Sequence, residues 1–160
     1  MANVTVDPDI FDSQGERCEE IFDGWEGPSP YFQVVSDETD KAAEALHVAV
    51  GRCMCVDGNG NELSAAEMYS TSEYTPNYYS PVYLTDRGPT AYLDTKGDLP
   101  RAMAETMLRI LVEEVEARDI TAYLTTPPLG SESMGGWPKW EESEAGLAWL
   151  AYERANIDPA

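Results

Sequence analysis

The sequence predicts an α+β domain: a small, mainly antiparallel sheet, with one long amphipathic helix over about residues 99–118 packed on a face and shorter helices near both termini. Three observations carry this. Apolar residues recur at helical spacing over 99–118, and short aromatic and β-branched runs elsewhere end at Gly, Pro or Asp. The hydrophobic share of 42% and aromatic share of 10% are those of a folded chain. A length of 160 residues fits a single domain, 1–160, and no linker, repeat or low-complexity tract divides it.

The elements follow in order. Ser13-Gln14-Gly15-Glu16 has capping-box spacing, and Cys18, Ile21 and Phe22 behind it recur at i, i+3, i+4, predicting a short helix over 14–23. The glycines and prolines of Gly24 to Pro30 break it, and Tyr31 to Val35 then reads as a strand. Lys41 to Leu46 favours helix by propensity, whereas Val48 to Val56 reads as a strand, with the changeover between 46 and 51. Asp57-Gly58-Asn59-Gly60 reverses the chain. Ser64 to Glu67 opens a short helix ending near Tyr69, and a tyrosine-rich loop runs from Ser70 to Ser80. Val82 to Thr85 and Thr90 to Asp94 form a hairpin about Asp86 to Pro89.

In the long helix, Pro100 stands in the first turn, where its missing N–H is not needed. Ala104, Met107, Leu108, Leu111, Val112 and Val115 share one arc, and Glu105, Arg109, Glu113 and Glu116 the other. Ile120 to Thr125 alternates as a strand and stops at Pro127-Pro128. Glu141 to Ala155 closes the chain as a helix that places Trp140, Leu147 and Ala151 near one face.

Charge is the outlying property: thirty Asp and Glu against ten Lys and Arg, a formal net charge of −20. A chain so acidic is repelled by phosphate backbones and anionic membranes, which excludes direct nucleic-acid and membrane-surface binding, and it steers a cationic protein towards itself. Solubility or a salt-rich cytoplasm selects the same composition. No apolar run approaches the roughly 20 residues of a bilayer span, and Met1 to Asp12 has neither the basic residues nor the apolar core of a secretory signal. The three cysteines, Cys18, Cys53 and Cys55, are odd in number and make no disulfide framework. The expected location is the cytoplasm.

No catalytic set, cofactor site or metal site emerges. Ser131 to Gly136 approaches the Gly-x-Ser-x-Gly elbow of hydrolases, but its first glycine is a serine, Pro138 blocks the following helix, and the lone histidine, His47, lies upstream. His47, Cys53 and Cys55, with Cys18, are zinc-ligand types, yet Cys-x-Cys is not a zinc knuckle. Asp57, Asn59 and Asn61 match the start of a calcium loop, but Glu62 stands where glycine is required and Met68 where a glutamate is. The clusters Glu113-Glu114-Glu116 and Glu141-Glu142-Glu144 read as solvated faces.

Tyrosines 69, 74, 78, 79, 83 and 92 concentrate in one third of the chain beside acidic residues. Tyrosine is enriched in interfaces, since it combines apolar area with a hydroxyl at little entropic cost. Glu67, Glu73, Tyr74, Tyr78, Tyr79 and Asp86 are therefore the candidate partner-binding residues; pairing of Tyr83 with Tyr92 across the hairpin is the structural alternative. The expectation is a non-enzymatic acidic module that binds a basic protein, as an inhibitor, an immunity or antitoxin protein, or a nucleic-acid mimic does. The alternatives are a subunit of a larger particle such as a virion, or an enzyme with a hidden carboxylate site, in which Glu114 stands out because it interrupts the apolar arc of the long helix. Oligomeric state is left open.

Overall fold

The computed structural model describes residues 3–8, 10, 31–53, 55–57, 59–63, 78–79, 82–85, 87–94, 101–125 and 138–157. The expected helices at 14–23 and 64–69, most of the tyrosine-rich loop and the Ser131 to Gly136 motif lie outside them.

The class is α+β, built on a mixed sheet. Strands β1 (Asn3–Val6), β2 (Tyr31–Val35), β3 (Tyr78–Tyr79), β4 (Tyr83–Thr85), β5 (Gly88–Asp94) and β6 (Thr121–Thr125) take the order β1-β6-β2-β5-β3, with β4 also on β5. β1 runs parallel to β6, with Asn3 opposite Thr121, and the other described pairings are antiparallel. β1 was not expected from the sequence, because four residues of alternating polarity are too short a signal.

The hairpin forms where the sequence places it but turns more tightly, since Thr85 pairs with Gly88 and Pro89 belongs to the strand. Gly88 is required there. Its φ is 132°, and a Cβ would stand 2.4 Å from the Val34 carbonyl oxygen on the neighbouring strand. Register places Tyr83 opposite Thr90 and Tyr92 opposite Tyr31, so the expected Tyr83–Tyr92 pair does not form. The outer edge of β4 is covered by a returning segment: the Leu84 N–H donates to the Pro138 carbonyl and the Trp140 N–H to that of Val82, both at 2.8 Å.

Helix α1 (Thr39–Cys53) overrides the expected strand at 48–56. Ala42, Ala43, Ala45, Leu46, Ala49, Val50 and Cys53 are all buried, a three-and-four spacing that continues past Leu46 and wins over the β-propensity of Val48 and Val50. The expected strand survives only as a bridge from Val56 to Glu62. Helix α2 (Arg101–Ala117) matches the expected long helix, burying Met103, Ala104, Met107, Ile110, Leu111 and Val115. It packs chiefly against α1 and touches β1, while α1 lies across β2 and β5, so two helices rather than one cover the sheet. A 3-10 turn (Trp140–Glu142) leads into α3 (Glu144–Ile157).

Between α1, α2 and the sheet lie Val34, Leu46, Met107, Ile110, Ile120 and Leu124, each no more than 1% exposed. Burying side chains of this size contributes roughly 1.5–3 kcal/mol apiece. An exposed ion pair such as Lys41–Glu38, 3.3 Å apart, contributes at most about 1 kcal/mol. The apolar core therefore holds the layers together.

Candidate functional site

Helices α1 and α2 are stitched by arginines. Arg52, near the end of α1, reaches Glu62 in the turn beyond it and both Glu113 and Glu114 on α2, all at 2.9–3.0 Å. Arg118 binds Glu44 on α1 and Glu114 through Nη1 at 3.0 Å, and its guanidinium stands 5.9 Å from the Trp149 ring centre. Arg109 binds Glu113. The Glu62 bond, opposed by burial and joined by the bonds to Glu113 and Glu114, holds the Arg52 guanidinium firmly charged. Three arginines thus face four carboxylates, which leaves nearly all of the −20 outside the network.

Beside this seam His47 is clamped between two acids. Nδ1 lies 3.3 Å from Oε1 of Glu141 on the 3-10 turn, and Nε2 lies 3.3 Å from Oε2 of Glu153 on α3. The bond to Glu141, opposed by burial and aided by Glu153, raises the imidazole pKa above its ordinary 6.5. For Glu141 burial works the other way, but His47, the Val82 N–H and its own N–H outweigh it and hold the carboxyl below its usual range. The Val82 N–H donates to both Glu141 oxygens, at 3.0 and 3.1 Å.

His47, Gly51, Arg52, Cys55, Glu62 and Glu153 line an open depression of about 560 Å³ between α1 and α3. Its cationic groups are already answered: both imidazole nitrogens face carboxylates, and Arg52 makes four bonds to three carboxylates. Flanking carboxylates on both nitrogens favour the protonated imidazole, in which both nitrogens donate. Cys53 is buried with its Sγ 4.0 Å from the Met107 carbonyl, and burial pushes its thiol up to about 12, which disfavours the thiolate. Among the described residues no group of three or more His, Cys, Asp or Glu is arranged to hold a metal ion. At the calcium-like turn, Asp57 Oδ1 accepts the N–H groups of Asn59 and Asn61, at 3.0 and 2.8 Å, and so builds the turn itself.

A second depression, about 740 Å³, opens at the end of the sheet. Val35 and Tyr123, both 39% exposed, form its apolar floor beside Thr5. Asp37 and Glu38, between β2 and α1, and Asp119, between α2 and β6, rim it. Ser36 Oγ ties the two connections by donating to the Thr121 carbonyl at 2.8 Å.

Of the candidate partner-binding residues, Glu67, Glu73, Tyr74 and Asp86 lie outside the described residues. Tyr78 and Tyr79 form β3, at the opposite edge of the sheet from the Tyr123 surface. The acid clusters are not uniformly solvated. Glu141 is half-buried and answers His47, and Glu114 answers two arginines, while Glu116, Glu142 and Glu144 are exposed. Exposed carboxylates occur on all three described helices, so the charge is not confined to one face. No helix among the described residues is long and apolar enough to cross a membrane. No protein-family model, curated protein or solved structure matches this chain.

Proposed function

We propose that this chain is a non-enzymatic acidic module that docks a basic protein partner, and that the Tyr123 surface is its centre. One observation carries the reading: a half-exposed tyrosine and valine stand side by side, rimmed by Asp37, Glu38 and Asp119. An apolar centre with a charged rim is the anatomy of a protein interface. The partner fitting it presents an apolar anchor flanked by Lys or Arg. The remaining surface carboxylates supply long-range attraction, which governs association rate and salt dependence more than affinity. On this reading Glu67, Glu73, Tyr74, Tyr78, Tyr79 and Asp86 make a second set of contacts with the partner. The module works in a reducing cytoplasm, as the free thiols of Cys53 and Cys55 suit. Its effect is that of an inhibitor, antitoxin or nucleic-acid mimic.

The test is binding of a lysine- and arginine-rich peptide carrying one aromatic residue, at about 0.1 M and about 1 M salt, where the screening length falls from about 10 to about 3 Å. Steep weakening with salt is expected, as is loss of binding in the triple variant Asp37→Asn, Glu38→Gln, Asp119→Asn. Salt-insensitive binding, or a triple variant that binds as well as the parent, overturns the reading.

A further inference from the structure

Helix α3 turns an apolar stripe outwards. On its inner side Gly146 presses against the Trp140 carbonyl, Trp149 lies beside Arg118, and Glu153 meets His47. On its outer side Leu147, Ala148, Ala151, Tyr152 and Ala155 are exposed, Leu147 at 57% and Tyr152 at 58%. Positions i, i+1, i+4, i+5 and i+8 fall on one face of a helix. Single exposed apolar residues are ordinary, whereas a contiguous stripe of them marks an association surface.

We propose that this stripe is a dimer interface, occupied by α3 of a second copy of the chain lying antiparallel to it. The order of residues makes the stripe self-complementary. A two-fold axis midway between Ala148 and Ala151 sets Ala148 of each copy against Ala151 of the other. Small residues then occupy the centre, where the helix backbones approach most closely, and Leu147 and Tyr152 flank them on either side. The ends are complementary in charge: the same axis brings Glu144, in the first turn, to the end where Arg154 of the other copy stands. Both residues are exposed and available for this pairing. A parallel pair would instead set Glu144 against Glu144 and Arg154 against Arg154.

The strength is bounded by two facts. A helix of 14 residues offers a small area, at the low end for specific interfaces. Each copy also carries a net charge of −20, so the copies repel until salt screens them. Dimerisation therefore tightens as salt rises, opposite in sign to capture of a basic partner, and the two proposals stand or fall separately.

Sedimentation equilibrium on the full chain, at about 0.1 M and about 1 M salt, tests this. A reversible monomer–dimer equilibrium that shifts towards dimer at the higher salt is expected. Ala151→Glu places carboxylates at the centre of the interface and raises the dissociation constant about tenfold or more, since opposed like charges cost several kcal/mol. Ala151 is exposed, so the circular dichroism of that variant stays as in the parent. Arg154→Glu weakens the dimer, and adding Glu144→Arg restores it. A monomer at every concentration and salt, a dimer indifferent to Ala151→Glu, or a double variant no tighter than Arg154→Glu alone overturns the proposal.

Discussion

Arg52 grips Glu62 with two parallel bonds, Nε to Oε1 at 2.9 Å and Nη2 to Oε2 at 3.0 Å. A guanidinium makes this fork, and an ammonium cannot. Because Arg52 also reaches Glu113 and Glu114, its removal takes one cation away from three carboxylates, of which Glu113 keeps Arg109 and Glu114 keeps Arg118. Arg52 is 29% exposed, so solvent screens part of the interaction. Arg52→Ala should lower stability by about 1–2 kcal/mol in urea unfolding, and Arg52→Lys by roughly half as much. The deficit should shrink in high salt. An unchanged midpoint for Arg52→Ala would show that the network adds no net stability.

The His47 clamp makes stability depend on pH from both sides. The folded imidazole pKa is raised, so its contribution is complete below the unfolded value of about 6.5 and is lost as pH rises through the folded value. Glu141 is lowered, so its contribution holds above its ordinary 4.5 and is lost as pH falls through its folded value. Stability should therefore peak between those limits. His47→Gln should flatten the alkaline limb and also shrink the acid limb, because the bond to His47 is the foremost contribution that lowers the Glu141 carboxyl. Denaturant midpoints measured across the range, with an NMR titration of the imidazole, check both signs.

Two glycines in helices should respond oppositely to alanine. A Cβ on Gly51 meets nothing within 4 Å, so Gly51→Ala should stabilise by about 0.5–1 kcal/mol through helix propensity alone. On Gly146 it would stand 1.9 Å from the Trp140 carbonyl oxygen, a backbone atom that cannot step aside without moving the 3-10 turn. Gly146→Ala should cost about 1–3 kcal/mol by overpacking. Thermal melts of the two variants in parallel decide it.

Asp119, in the turn after α2, has φ 53°, the left-handed conformation that Asp and Asn tolerate and β-branched residues do not. Asp119→Val should destabilise by about 1–2 kcal/mol, while Asp119→Asn should stay within about 0.5 kcal/mol of the parent. This is why asparagine is the substitution used at that position in the binding test. Equal melting temperatures for the two variants would refute the backbone argument.

Periodicity made part of this fold legible. Residues 101–117 form the long helix expected from its apolar arc, and the alternation of Thr121–Thr125 places Ala122 and Leu124 inside. The second half of α1 was misread because Val48 and Val50 carry β-propensity, while the packing that overrules it comes from β5 and α2, distant in sequence. The clamp was invisible for the same reason: Glu141 and Glu153 stand 94 and 106 positions from His47. Leu147 and Ala151 were expected on one face with Trp140, yet Trp140 is 1% exposed while both of the others face outwards. An apolar residue in a sequence does not declare whether its cover is the rest of its own chain. The Tyr123 surface has no signature in the sequence, because Tyr123 stands apart from the tyrosine cluster and meets Val35 only through the pairing of β2 with β6.

The parallel pairing of Asn3 with Thr121 has a consequence for biosynthesis. During translation the first strand emerges long before the one it pairs with, and β6 then has to slot between β1 and β2. Until it does, the ribosome-bound nascent polypeptide exposes strand edges with no neighbour, the kind of intermediate that invites aggregation. The sheet closes only once most of the chain has left the exit tunnel, and mutual repulsion among its many carboxylates would keep neighbouring unfinished chains apart in the meantime.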